Sequence, residues 1–189
     1  ETLKKRGYTG QVYFICSDDD KEISNYKKLY KEKVVVFNKQ DYKNTFDIGD
    51  NFNDERVVVY ARNACFDIAK KIGIKYFLVL DDDYIAFHYR LYHINKPEQI
   101  KNLDKVIELA LKYYKSISAK SIAMSQGGDF IGGAGNSYAT NPKLRRKCMN
   151  SFFCSTDRPF KFIGRMNDDV NTYVTLGGKG NLFLTIPNV

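Results

Sequence analysis

The stretch Lys75-Tyr-Phe-Leu-Val-Leu-Asp-Asp-Asp83 decides the fold of this chain, because an apolar run of strand length ends there in three adjacent carboxylates. The run does not alternate with polar residues, which predicts a buried strand of a parallel sheet. In extended backbone Asp81 and Asp83 project to one side and Asp82 to the other. Two carboxylates at a strand end are hard oxygen ligands of the kind that Mg²⁺ and Mn²⁺ prefer. A solvated acidic turn is the alternative interpretation.

Strands and helices alternate on both sides of this stretch. Further strands are predicted at 11–16, 34–37, 84–94, 121–125, 152–155, 160–164 and 182–186. Helices are predicted at 24–33, 60–72, 97–118 and 167–176. This alternation predicts an α/β fold with an open, mostly parallel, twisted sheet and helices on both faces.

Length and composition favour a single domain in a reducing, intracellular compartment. The 189 residues are 43% hydrophobic, enough for one sizeable core, so a single domain over 1–189 is predicted. The four cysteines form no Cys-x-x-Cys pair, which favours reduced thiols over disulfides or zinc. No apolar run is long enough for a membrane span and no signal peptide is visible, so we expect a cytoplasmic protein. The first residue, Glu1, is not a methionine, which is consistent with a piece of a longer chain.

Polar residues follow three of the predicted strands. Ser17 begins the polar run that ends at Asp20, Asn38 follows the next strand, and the three aspartates follow the central one. The carboxyl ends of parallel strands meet at one edge of a sheet, and ligands bind there. This convergence favours a binding site over a solvated turn. His88 and His93 are five residues apart on a predicted strand, so they face opposite sides and are interpreted as structural.

Two polar pairs lie at predicted helix starts, and each has two interpretations. Arg62-Asn63 precedes the central strand, and its guanidinium could bind a diphosphate or lie at the surface beside a capping Asn. Asp168-Asp169 begins a later helix. These carboxylates could cap that helix, or one could be a general base that takes a proton from an acceptor hydroxyl.

The segment 143–165 is strongly basic. Its seven basic residues against one acidic residue give +6 of the chain's net +8. Four phenylalanines interleave with them, a pattern typical of nucleic-acid contacts but also of a core beside a solvated surface. The basic residues are Lys143, Arg145, Arg146, Lys147, Arg158, Lys161 and Arg165.

The ordered set of motifs resembles a known family. Tyr60-Ala-Arg-Asn63, an amphipathic helix, the strand ending in Asp81-Asp-Asp83, a glycine-rich segment and Asp168-Asp169 are similar to GT-A fold nucleotide-sugar glycosyltransferases. The Ala-Arg-Asn before Asp-Asp-Asp more particularly resembles the TET-associated glycosyltransferases, relatives of the base J glucosyltransferase found largely in phages. The resemblance implies a GT-A-like domain with a nucleotide-sugar-binding half at about 8–95 and an acceptor-binding half at about 96–189.

The resemblance implies transfer of a sugar from a nucleotide sugar, UDP-glucose or UDP-GlcNAc, to a hydroxymethylpyrimidine in DNA. Asp81 and Asp83 would hold Mn²⁺ or Mg²⁺, and Asp169, or else Asp168, would be the base. The implied donor-binding set is Ser17, Asn38, Arg62, Asn63 and Asp82. No late histidine offers a third metal ligand, and no stable protein partner is implied.

Two other functions fit the same residues. A nucleotidyltransferase or another metal-dependent phosphoryl-transfer enzyme also carries carboxylates at strand ends. A non-catalytic DNA-binding module with a transferase-like fold would keep the basic segment and lose the chemistry.

Overall fold

A computed structural model describes residues 1–44, 58–91, 96–130 and 148–189. The chain divides into two compact units. One, the Asp81 unit, comprises Glu1–Gly10, Leu78–Cys154 and Tyr173–Val189. The other, the Arg62 unit, comprises Gln11–Phe77 and Ser155–Thr172.

The Arg62 unit is built on a parallel strand pair. Strand β1 (Phe14–Ser17) pairs with β2 (Val34–Phe37), and helix α2 (Ile23–Tyr30) connects them. This confirms the strand–helix–strand unit that the sequence predicts. Parallel neighbours need such a crossover connection because the chain must return to the same end of the sheet.

Helix α3 (Val59–Lys71) supplies half of the buried hydrophobic residues described in the Arg62 unit. Ala64, Phe66 and Ala69 are among them, and at about 100° per residue they lie around more than one face of the helix. Gly73 ends the helix with φ of +75°, a conformation that side chains other than glycine rarely adopt. The next N–H, that of Ile74, donates back to the carbonyl of Ala69 at 2.8 Å.

The central strand β3 (Tyr76–Leu80) lies at the edge of a four-stranded sheet with the order β3-β7-β6-β8. Its partners are β6 (Ser121–Met124), β7 (Ser151–Ser155) and β8 (Phe183–Ile186). Strand β6 runs parallel to β8 but antiparallel to β7, so the predicted α/β fold is confirmed with a mixed sheet that is not all parallel. Every residue of β6 and β7 is buried. A continuous apolar run therefore indicates here that a strand is buried on both faces, but it does not indicate the direction of the strand.

Three other predicted elements differ in the structure. The strand predicted at 84–94 is reduced, within its described residues, to β4 (His88–Tyr89), which pairs antiparallel with β5 (Glu98–Gln99). The long helix begins at Leu103 and not at 97, because the Asn102 side chain caps it by accepting from the Lys105 N–H at 3.0 Å. No strand forms at 160–164, where side chains take the backbone hydrogen bonds that a strand partner would take.

The remaining helices are α1 (Thr2–Lys5), α4 (Leu103–Ser116) and α5 (Asp168–Gly178). Helix α4 buries Leu103, Val106, Ala110 and Tyr114, which lie at helical spacing. Helix α5 begins one residue after the predicted start and continues through Gly178. No helix in the described ranges is long and apolar enough to cross a membrane.

Candidate active site

The three aspartates that follow β3 differ in exposure. Asp81 is half-buried, whereas Asp82 and Asp83 are exposed. The Asp81 N–H donates to the carbonyl of Asn150 at 3.3 Å, which fixes the backbone where the strand ends. Strand β3 ends at Leu80, and the chain that follows is irregular. The carboxylates therefore lie directly after the carboxyl end of the strand, as predicted.

Tyr84 lies within electrostatic reach of two of these carboxylates. Burial raises the pKa of its phenol, hydrogen bonds with Gln126 and Ser151 lower it, and the charges of Asp81 and Asp83 raise it further. The Tyr84 hydroxyl therefore experiences the charge of both residues.

A cavity of about 410 Å³ opens beside Asp83 in the Asp81 unit. Tyr84 lines it and stacks on Phe87, with ring centroids 5.2 Å apart and an interplanar angle of 4°. Gln126 also lines it, and its amide nitrogen lies 3.3 Å from the Tyr84 hydroxyl. Asn150 donates to the Gln126 amide oxygen at 3.5 Å. The cavity thus combines an aromatic surface with a row of hydrogen-bonding groups.

The donor set at Asp81 and Asp83 suits a hard divalent cation. Both residues offer carboxylate oxygens, and Asp83 faces a cavity large enough for a bound ligand. Within the described ranges no group of three or more His, Cys, Asp or Glu residues could hold a metal ion. Asp81, Asp82 and Asp83 therefore do not form such a group by themselves.

In the Arg62 unit, the strand ends of β1 and β2 carry a charged pair that the sequence analysis missed. The Lys39 side chain is buried and its ammonium lies 2.8 Å from Asp19, which is half exposed. The Ser17 hydroxyl donates to the same carboxylate at 2.5 Å. The Lys39 ammonium also lies 5.2 Å from the centroid of the Tyr60 ring. A lysine in a polar segment ordinarily reads as solvated, so no signal in the sequence indicated its burial.

The predicted donor-binding residues Ser17 and Asn38 lie at this same edge. The β1–β2 register brings Ser17 opposite Phe37, the residue before Asn38. The Asn38 side chain accepts from the Gln40 N–H at 3.0 Å and so caps a short 3-10 turn. Both residues shape the loop ends through these hydrogen bonds, and their contact with a donor stays a prediction.

Arg62 lies in the first turn of α3 and is buried, with 3% of its side chain exposed. Its Nη1 lies 2.8 Å from Oδ2 of Asp168, whose side chain is 8% exposed. The guanidinium also lies over the Phe162 ring, 5.6 Å from its centroid. A buried charge is tolerated when an opposite charge and hydrogen bonds compensate it, and each residue does this for the other.

Asn63 fixes the chain that leads to this carboxylate. Its amide nitrogen donates to the Phe162 carbonyl at 3.2 Å, and its amide oxygen accepts from the Phe162 N–H at 2.7 Å. One side chain thereby satisfies both backbone groups of a residue that has no strand partner. Asn63 does not have the capping role that was predicted as one alternative, because its side chain bonds to Phe162, 99 positions later in the sequence.

Thr172 completes this arrangement from inside α5. Its hydroxyl accepts from the Ile163 N–H at 2.8 Å and donates to the carbonyl of Asp168 in a very short hydrogen bond. The first turn of α5 is therefore tied to the segment that Asn63 holds.

Asp168 and Asp169 are the first two residues of α5, and both are buried. Burial raises the pKa of Asp168, the Arg62 charge and hydrogen bond oppose that rise, and the Asp169 charge adds to it. Asp169 accepts the Val170 N–H at 2.7 Å. The structure thus distinguishes the two carboxylates, since Arg62 forms an ion pair with Asp168.

Four of the seven basic residues of the segment 143–165 fall outside the described residues. Lys143, Arg145, Arg146 and Lys147 lie there, whereas Lys161 is exposed and Arg158 and Arg165 are half-buried. The four phenylalanines that interleave with these residues are core side chains and offer no face for stacking on bases. They are Phe152, Phe153, Phe160 and Phe162, each at most 8% exposed.

The predicted site residues fall into two groups. The Arg62 unit brings together Arg62, Asn63, Asp168 and Asp169. The Asp81 unit holds the three aspartates after β3 with the cavity beside them.

Comparison with known proteins gives one match. The model of the family described as TET-Associated Glycosyltransferase matches residues 1–189. Comparison with the curated proteins and with the solved structures found no match.

Proposed function

The chain belongs to the TET-associated glycosyltransferase family and is a glycosyltransferase, and we propose on that premise that it moves a sugar from a UDP-linked donor to a hydroxymethylpyrimidine base in DNA. The donor would be UDP-glucose or UDP-GlcNAc. The observation that carries the proposal is the pair of carboxylates that follow β3, together with the cavity beside Asp83.

Asp81 and Asp83 would hold Mn²⁺ or Mg²⁺ through their carboxylate oxygens. When bound, that cation would offset the negative charge that develops on the diphosphate as it leaves. Asp82 would then lie on the opposite side of the chain, available to the nucleotide. Ser17 and Asn38, at the ends of β1 and β2, complete the proposed donor-binding residues.

The cavity beside Asp83 supplies the contacts that a hexose requires. A sugar ring presents hydroxyl groups at its edge and an apolar C–H face. Gln126 and Asn150 provide amide groups for the sugar hydroxyls, and the Tyr84–Phe87 stack provides a flat surface for the apolar C–H face. We therefore place the transferred sugar in this cavity.

The acceptor hydroxyl would lose its proton to Asp169, which lies at the start of α5. A hydroxymethyl group on a stacked base cannot reach an enclosed site, so the base would leave the stack. Basic residues of the segment 143–165 would hold the DNA backbone through its phosphates.

A thermal-shift screen of nucleotide sugars, with and without Mn²⁺, tests the donor side of this proposal. One UDP-sugar should raise the melting temperature strongly in the presence of Mn²⁺ and weakly in its absence, because ligand binding stabilises the folded state. Incubation of that donor with hydroxymethylcytosine DNA should then release UDP. Release of pyrophosphate would instead indicate a nucleotidyltransferase, and absence of metal-dependent donor binding would indicate a non-catalytic DNA-binding module.

A further inference from the structure

We propose that Arg62 is a positioning residue that acts through Asp168, and that this leaves Asp169 as the base of the proposed transfer. The proposal rests on the proposed function. It replaces the expectation that Arg62 binds the donor diphosphate, and it concerns only residues of the Arg62 unit.

The burial of Arg62 argues against a direct role in donor binding. Only 3% of its side chain is exposed, and its Nη1 is committed to Asp168 at 2.8 Å. A phosphate ligand would have to compete with a buried carboxylate for the same guanidinium. Loss of that partner would leave Asp168 buried and uncompensated, which is strongly unfavourable.

The contacts around the pair define what it positions. Asn63, the next residue of α3, holds Phe162 by two hydrogen bonds, and Thr172 holds Ile163 and the carbonyl of Asp168. The first turn of α5 is therefore fixed at a side chain by Arg62 and at a backbone group by Thr172. Asp169 is the next residue of that turn, so its direction follows from these contacts.

The ion pair also assigns different roles to adjacent carboxylates. Two neighbouring aspartates repel each other and can exchange roles as proton acceptor. Arg62 binds Oδ2 of Asp168 and thereby keeps that carboxylate occupied. Asp169 is the member of the pair that remains for an acceptor hydroxyl.

A double-mutant cycle tests the proposal. Arg62→Gln, Asp168→Asn and the double variant are compared with the wild type in kcat, donor KM and melting temperature. We expect each single variant to lower kcat by about 10²-fold, because a misdirected base loses its alignment. Donor KM should stay within about twofold, and the double variant should be no worse than the poorer single variant, because the two residues act as a unit.

The exposed ion pair of the same unit provides the matched control. Lys75 and Asp157 approach to 2.5 Å, but more than half of each side chain is exposed. Lys75→Gln should leave kcat and donor KM unchanged, because surface pairs contribute little. If the single variants do not fold, the same comparison can be made with the double variant and with Arg62→Lys. Neither of these leaves a buried carboxylate without a counter-charge.

Two results would overturn the positioning role. A rise in donor KM of about tenfold or more in Arg62→Gln, with kcat retained, would make Arg62 a donor ligand. Wild-type kcat in Asp168→Asn would show that the pair does not direct the base. A wild-type protein that transfers no sugar refutes the proposed function itself, and the positioning role with it.

Discussion

The two acidic clusters described in this chain both consist of aspartates, but they differ in burial. The aspartates after β3 are exposed or half-buried, whereas the aspartates at the start of α5 are both buried. The buried cluster includes its own counter-charge, since Arg62 pairs with Asp168. An exposed cluster keeps its oxygens accessible to a ligand cation. The two clusters therefore differ in how accessible their carboxylate oxygens are and in whether a counter-charge is paired with them.

The largest expected effect comes from the exposed cluster. Asp81→Asn with Asp83→Asn should lower transfer by at least about 10³-fold, because the charge stabilisation that a bound metal supplies is lost. The melting temperature without ligand should not fall, since two repelling charges disappear from the surface. Donor binding with and without Mn²⁺ provides the measurement.

The control for this variant is Asp157→Asn, which removes an exposed carboxylate elsewhere. It should leave transfer and the Mn²⁺-dependent thermal shift unchanged. Full transfer activity in the Asp81/Asp83 variant would contradict the metal-binding role and would erase the contrast between the two clusters.

The buried cluster should separate chemistry from binding. Asp169→Asn should lower kcat by about 10²- to 10⁴-fold, because a positioned general base contributes that much. The thermal shift produced by donor and Mn²⁺ should persist. A variant that loses donor binding along with transfer would mean that Asp169 belongs to the donor site and is not the base.

The basic residues offer a smaller effect and a contrast with the buried Arg62. Neutralising Arg145, Arg146 and Lys147 together should weaken DNA binding and reduce the slope of log K against log salt by up to about 2.7, since each phosphate contact contributes about 0.9. Neutralising the three exposed lysines Lys27, Lys28 and Lys33 is the matched control. Equal slopes in both triple variants would remove the segment from the DNA interface.

The smallest effect is a pH dependence of stability that arises in the buried cluster. Burial raises the pKa of Asp168 above its ordinary value of 3.8, so the folded form keeps this proton to a higher pH than the unfolded chain does. The contribution of Asp168 to stability is therefore full below that ordinary value and is lost as the pH rises through the folded pKa. Arg62 opposes the shift and Asp169 adds to it.

Denaturant unfolding of the wild type and of the Arg62→Gln/Asp168→Asn variant between roughly pH 3 and 7 measures this term. The free energy of unfolding of the wild type minus that of the variant should fall as the pH rises. A difference that rises with pH would mean that Arg62 outweighs burial and that Asp168 is stabilised in its charged form.

Local patterns in the sequence predicted the local parts of the fold. The apolar runs of β1, β2 and β3 and the glycine that ends α3 are all encoded within short windows, and the structure confirms them. The carboxylates after β3 were predictable for the same reason, because one strand carries them.

Contacts between distant residues could not be predicted in this way. Arg62 and Asp168 are 106 positions apart, and both read as ordinary helix-start residues. The direction of β7 was equally hidden, since its fully buried residues are compatible with either orientation. The segment 160–164 looked like a strand because its aromatic residues are buried, but a side chain of α3 occupies its backbone groups.

Asn63 has a consequence for how this protein can change. A carboxamide presents one donor and one acceptor in the same plane, so it can replace the edge of a neighbouring strand for a single residue. At this position Asp would lose the donated bond, Leu would lose both bonds and Gln would change their spacing. Asn63 therefore sets the course of the chain at Phe162 without a neighbouring strand, so its substitution would release the segment that leads to the start of α5.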